Sequence, residues 1–142
     1  MGATQSVKKI NFEDMKSFIV DPNIIIINTM PSSIQECLII NTLNASEETT
    51  ILNDLLKKNN KHRTVVVYGM NACDDVIVTK YNQLIKLGFY NVYVYPGGLF
   101  EWLLLQDIYG SDSFPTTKKE LDILQFKGSS LSTRLMITND YP

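Results

Sequence analysis

Cysteine and histidine are scarce in this sequence, with Cys37, Cys73 and His62 as the whole supply. A structural zinc site takes four soft ligands, so these residues cannot build one. The two cysteines stand in different segments with no CxxC pair; one bridge between them is arithmetically open, but nothing suggests secretion. Long apolar runs are missing as well. None approaches the ~18–20 residues of a membrane span, and the first residues lack the apolar stretch of a signal peptide. Positive charge is not in excess: 13 Lys and Arg face 15 Asp and Glu, for a net charge of -2 and a pI near 5.3. That excludes a nucleic-acid partner gripped by a basic face. The expectation is an intracellular, cytoplasmic protein with reduced thiols and neither metal nor cofactor.

What is present is enough for one domain. The chain has 142 residues and a mass of 16.1 kDa, with 44% apolar and 20% charged residues, inside the globular range. A chain of this length buries roughly two thirds of its unfolded surface and needs no staples.

Asn11 and Asp14 have capping-box spacing, with Ile10 and Met15 placed as a hydrophobic staple, so a helix is predicted from there to about Val20. Asp21-Pro22-Asn23 stops it. Ile24 to Ile27 reads as a strand covered on both faces. Ser32 with Gln35 predicts a short helical turn through Cys37, and Leu38 to Leu43 a second buried strand. Ser46 is the expected cap of the next helix, with Glu47 and Glu48 in its positive first turn and Ile51, Leu52, Leu55 and Leu56 as its apolar stripe. Thr64 to Tyr68 is the clearest strand. A loop from Gly69 to Cys73 leads to a helix from about Asp74 to Leu87, ended by Gly88. Asn91 to Tyr95 is another strand, followed by Pro96-Gly97-Gly98 and a short helix near Phe100 to Gln106. Thr117 and Glu120 are expected to cap a final turn or helix. Alternating strands and helices predict an α/β fold, a mostly parallel central sheet flanked by helices on both faces. The expected organisation is a flexible N-terminal segment over 1–9, one domain over 10–125 and a polar tail over 126–142.

The first residues, Met1-Gly2-Ala3-Thr4-Gln5-Ser6, fit a myristoylation signal: loss of Met1 exposes Gly2, and Ser6 supplies the hydroxyl. Lys8 and Lys9 follow. A single myristoyl chain gives only marginal, reversible membrane binding, and two lysines are a weak second signal.

In α/β sheets the site lies where a strand end meets a helix start. The best such place runs from Val65-Val66-Val67-Tyr68 into Gly69-Met70-Asn71-Ala72-Cys73-Asp74-Asp75. Downstream come Leu87-Gly88-Phe89-Tyr90-Asn91-Val92, then Gly97-Gly98 and Trp102. This ordered set, spread over about Ile10 to Tyr109, resembles the rhodanese-like domain. The resemblance implies a single domain of that fold and a sulfurtransferase ancestry. In that family a cysteine directly after the strand carries sulfane sulfur as a persulfide, inside a ring of backbone N–H groups that favours a thiolate and an anion. Here Gly69 stands in that place. Arginine is missing from the loop, Asp74 and Asp75 bring negative charge, and Asn28-Thr29 stand where an Asp-Arg pair is usual. A phosphatase needs the same cysteine and a guanidinium, so that activity is disfavoured too. The chain looks like a degenerate member.

Cys73, four residues further on, is the substitute nucleophile to weigh. A helix N-terminus lowers a thiol pKa, but Asp74 and Asp75 oppose a thiolate. The plainer reading has Asn71 capping the helix and Cys73 as an ordinary first-turn residue. Cys37 is expected to be a buried packing residue, His62 a loop residue and Trp102 part of the core or of a hinge. The apolar run Trp102 to Tyr109 is long enough to leave part of itself exposed to a partner or second copy. The expected function is a non-catalytic rhodanese-like module that binds or scaffolds an unknown protein partner, tethered through Gly2. The alternative is a sulfurtransferase or thiol-redox enzyme working through Cys73, and a weaker third reading keeps the empty loop as a small-ligand pocket.

Overall fold

The computed structural model describes residues 7–133; Gly2 with its lipidation signal lies outside them, as do residues 134–142 of the expected tail. Three strands, β1 (Ile25–Asn28), β2 (Val65–Tyr68) and β3 (Val92–Tyr95), form a parallel sheet in the order β1-β2-β3. Ile26 lies opposite Val66, and Val66 opposite Tyr93. All three are short apolar runs, and all but Tyr93 of their residues are buried, as strands covered on both faces must be. Each edge is extended by one bridge, Lys9 to Val94 on one side and Thr42 to Ile26 on the other.

Helices cover both faces. On one, α1 (Phe12–Ile19) and α4 (Gly98–Tyr109) bring Met15, Ile19, Leu99, Trp102 and Leu103 against Ile26, Val66 and Tyr68. On the other, α2 (Ala45–Lys57) and α3 (Val76–Leu87) bring Leu52, Leu55, Ile77 and Leu84 against Ile27, Val65 and Val67. Trp102 is core: its ring meets that of Phe114 edge-on at 5.0 Å, and its indole N–H donates to the Pro115 carbonyl at 3.1 Å.

The expected helix signals hold at α1, where Asn11 and Asp14 cap each other's backbone N–H, and at Gly88, whose φ of +108° ends α3. Others shift. The cap of α2 is Asn44, not Ser46; the Asn44 side chain accepts from the Ser46 backbone and hydroxyl, both at 3.1 Å. The helix after β2 starts at Val76 rather than Asp74, and α4 runs well past both ends of the short helix read there. Ser32 caps nothing; the Gln35 amide instead donates to Asn28 and Met30. Thr117 and Glu120 do not cap a helix either. Thr117 pairs with the 36–38 segment through backbone and hydroxyl, and the final 3-10 turn begins at Ile123. The packed domain also runs past the boundary read at 125, because Phe126 is buried in the core.

The largest departure is Leu38 to Leu43. Leu38 and Ile39 are buried, yet no strand forms: Asn41 takes a φ of +67°, and the backbone finds partners elsewhere. The Ile40 N–H donates to Pro115, and the Ile39 N–H to the hydroxyl of Tyr68 at 3.1 Å. That hydroxyl also bonds Thr42 Oγ1 at 2.7 Å, and Thr42 donates to the Ile39 carbonyl. One fully buried tyrosine at the end of β2 thus supplies the polar partners that a neighbouring strand would have supplied. Burial pushes its pKa well above the ordinary tyrosine range, so the hydroxyl stays protonated.

Tyr68→Phe should leave the Ile39 N–H without a partner and lower stability by about 1–3 kcal/mol. Urea unfolding measures this, and an unchanged midpoint would show that the segment is held by apolar packing alone.

Candidate functional site

The carboxyl ends of β1, β2 and β3 converge on the loop from Gly69 to Asp75, which enters α3. Gly69 is buried, and its backbone is not in the left-handed region that favours glycine. Space is what restricts this position. A Cβ on Gly69 would lie 2.5 Å from Asp74 Oδ2 and 2.8 Å from the end of the Ile77 side chain. The place where a nucleophilic side chain would begin is therefore filled from α3's side of the loop.

Asp74 does more than sit beside α3's dipole. Its Oδ2 accepts the Met70 N–H at 3.3 Å and the Thr29 hydroxyl at 3.5 Å, while Oδ1 accepts the Val76 N–H at 3.0 Å. One half-buried carboxylate joins the end of β1, the loop and the start of α3. Asn71 does not cap α3 as expected. Its Oδ1 accepts the Cys73 N–H at 2.8 Å, and its Nδ2 donates to the Phe126 carbonyl at 2.8 Å. The Asp74 N–H turns back to the Asn71 carbonyl at 3.3 Å. The N–H groups of Met70, Cys73 and Asp74 are thus used within the protein, which takes three donors from the anion cradle on which the small-ligand reading depends.

The loop's carbonyls are occupied too. Gly69 and Met70 accept from the first free N–H groups of α4, Leu99 and Phe100, both at 2.9 Å. This contact needs Gly98, whose φ is +66° and whose Cβ would stand 2.6 Å from the Gly69 oxygen. Gly97-Gly98 is thus a close approach of two backbones.

Cys73 is exposed and Ala72 beside it likewise. The Cys73 sulfur lies at the rim, close enough to Gly128 that a Cβ there would come within 2.9 Å of it. Cys37 is buried, donates to the Lys118 carbonyl at 3.1 Å, and is raised above the ordinary thiol range by that burial. Both cysteines are free. Asn28 and Thr29 are also engaged: Asn28 exchanges amide bonds with Gln35, and Thr29 reaches Asp74. Arg63 is at the other end of the sheet, bonded to the Asn23 carbonyl. His62 is exposed. Among the described residues no cluster of His, Cys, Asp and Glu could hold a metal ion, and no helix is long and apolar enough to cross a membrane.

The loop read from sequence is one continuous turn between β2 and α3, but two contacts near it carry no sequence signal. Thr29 on Asp74 carries no spacing signal, being 45 residues away. The Tyr95 hydroxyl donates to Glu101 at 2.6 Å, and burial with that carboxylate holds it protonated far above its usual range. This pair spans the Gly-Gly turn, which no helical or strand period reaches across.

Comparison with known proteins fits this geometry. A family model described as Rhodanese-like domain matches residues 13–105. The chain is similar in structure to the Alr3790 protein from Anabaena sp., with a TM-score of 0.52 and 22% identity over 92% of this chain and 90% of that one. It is similar to the single domain sulfurtransferase RDL2 of Saccharomyces cerevisiae, with a TM-score of 0.52 and 17% identity over 80% and 99% of the two chains. A further Saccharomyces cerevisiae protein, described as uncharacterized, gives 0.53 and 18% over 70% and 93%. At such identities the likeness to these structures is one of fold. No curated protein matches the chain.

Gly69→Ala should cost about 1–3 kcal/mol by overpacking. In an Asp74→Ala background the cost should fall by about 0.5 kcal/mol or more, since the pair competes for one space. Urea unfolding of the four chains of this cycle measures it, and equal costs in both backgrounds would mean that the carboxylate does not hold the space. In a thiol-labelling time course, Cys73 should react rapidly in the native protein and Cys37 only on unfolding.

Proposed function

The chain belongs to the rhodanese-like domain family, and we propose that it serves there as a binding or scaffolding module without sulfurtransferase chemistry. The observation that carries this reading is the state of the loop start: Gly69 offers no sulfur, and Asp74 with Ile77 fills the space a side chain there would need. The absence of arginine from the loop and the commitment of Asn28 and Thr29 to internal partners support it further. A module of this kind acts through its surface on a protein partner. The exposed Leu104, Ile108 and Tyr109 of α4 offer apolar area for such a contact.

Exposure of its thiol favours the rival reading, sulfur transfer or redox chemistry at Cys73. Against it, the Cys73 N–H is held by Asn71 and the thiol lies at the rim beside Gly128, away from the ring of donors a persulfide would use.

The N-terminal signal adds a tether. In this reading the amine of Gly2, freed by removal of Met1, attacks a myristoyl thioester; the amide forms, the carbon–sulfur bond breaks, and the thiol leaves with the proton. The anchor is reversible, as one acyl chain alone holds a membrane only marginally.

Intact-protein mass spectrometry after incubation with thiosulfate or a persulfide donor tests the main reading, with an active rhodanese labelled in parallel. No gain of sulfur is expected on the wild-type chain. A cyanide-removable sulfur adduct lost only in Cys73→Ser would overturn the reading and give the enzyme role to Cys73.

A further inference from the structure

Beside the loop, between α3 and the segment that leads into the domain, lies an apolar groove of about 310 Å³. Val7, Ala72, Ile77, Val78, Val94 and Pro96 line it, with Lys9 and Asp74 as the charged residues of its wall. Ile77 and Val94 form a buried floor, while Val78 is half-exposed at the side. We propose that this groove seats the acyl chain carried by Gly2, so that the lipid has a berth on the protein as an alternative to the bilayer. The proposal rests on the tether reading above.

Three observations support that occupant. The leading segment is fixed to the sheet, with the Ile10 N–H donating to Val94 at 2.9 Å and the Val94 N–H to Lys8 at 2.8 Å, which makes Val7 itself part of the groove wall. The five residue steps from Gly2 to Val7 can span up to ~17 Å, and Val7 itself lines the groove, so the acyl-bearing residue is tethered close to it. The residues between them, Ala3-Thr4-Gln5-Ser6, are too small and polar to fill an apolar groove, whereas the acyl chain of the tether reading is apolar.

The charge pattern points the same way. Of the two lysines after the lipidation signal, Lys8 is already engaged: its ammonium donates to the Tyr90 carbonyl at 2.9 Å and lies 4.9 Å from the centre of the Tyr93 ring. That leaves the electrostatic half of a two-part membrane anchor weak, and a single acyl chain then binds a bilayer only marginally and reversibly. Occupation of the groove would place the lipid against Asp74, the residue that organises the loop. Release of the lipid would expose the groove and the rim of the loop together.

The test uses the full chain co-expressed with an N-myristoyltransferase. Intact mass first establishes whether Gly2 carries the acyl group. Backbone amide NMR spectra of acylated and unacylated protein are then compared, along with sedimentation on phosphatidylcholine vesicles for wild type and Val78→Glu. The expected result is an acyl mass, shifts concentrated at Ala72, Ile77, Val78 and Val94, and a several-fold larger vesicle-bound fraction for Val78→Glu. An acyl mass with unmoved groove amides and equal vesicle binding would overturn the groove and leave the tether standing. Absence of the acyl mass would overturn both.

Discussion

The carboxylate of Asp74 is the junction on which this end of the molecule depends. A parallel strand that stops inside the protein leaves backbone groups that must find partners at once, because water cannot reach them. At the end of β2 this is done from within: Asp74 takes the N–H groups of Met70 and Val76 and the Thr29 hydroxyl, and the loop's own carbonyls take the first N–H groups of α4. The positive end of α4 and the start of α3, both suited to an external anion, are thereby satisfied by the chain itself. The loop lies where strand ends meet helix starts, and the N–H groups of Met70, Cys73, Asp74 and Val76 are bonded within the protein.

The same economy recurs one turn away. Tyr68, the last residue of β2, extends its hydroxyl to the segment around Ile39 and Thr42, which otherwise meets β1 only through the bridge from Thr42 to Ile26. The Asn28 and Gln35 amides close on each other beside it. The segment after α4 then wraps back, with Pro115 receiving the Trp102 indole and Phe126 receiving Asn71. Polar groups at the carboxyl edge of the sheet are satisfied pairwise by residues far apart in sequence, so the edge is set by tertiary contacts more than by local propensity.

This explains what could and could not be read from the sequence. The three strands, α1 to α4 and both helix-covered faces were legible, because β-branched runs, capping residues and apolar stripes are local signals that tertiary packing here reinforces. Leu38 to Leu43 carried the apolar character of a strand, but its partners came from Tyr68 and Pro115, which no periodicity announces. Asn44 outcompeted Ser46 as a cap because either side chain suits the role and only the path of the backbone decides between them. In the candidate site, the loop and the absence of a sulfur at Gly69 were visible. Asp74's part was not: in sequence it is one of two negative charges at the end of the loop, whereas its side chain folds back onto the loop and into the space next to Gly69. Phe126 was hidden in a polar stretch whose composition resembled a tail, although its ring belongs to the core.

The crowding at Gly69 also bears on what can replace it. The backbone there would accept any L-residue, but a side chain would arrive in space already held by Asp74 and Ile77. Asp74 cannot simply yield, since it now organises the loop. Enlarging position 69 while Asp74 stays, or removing Asp74 while the glycine stays, each lowers stability first. The two residues constrain each other: the bare backbone at 69 is the counterpart that the carboxylate's place in the loop requires.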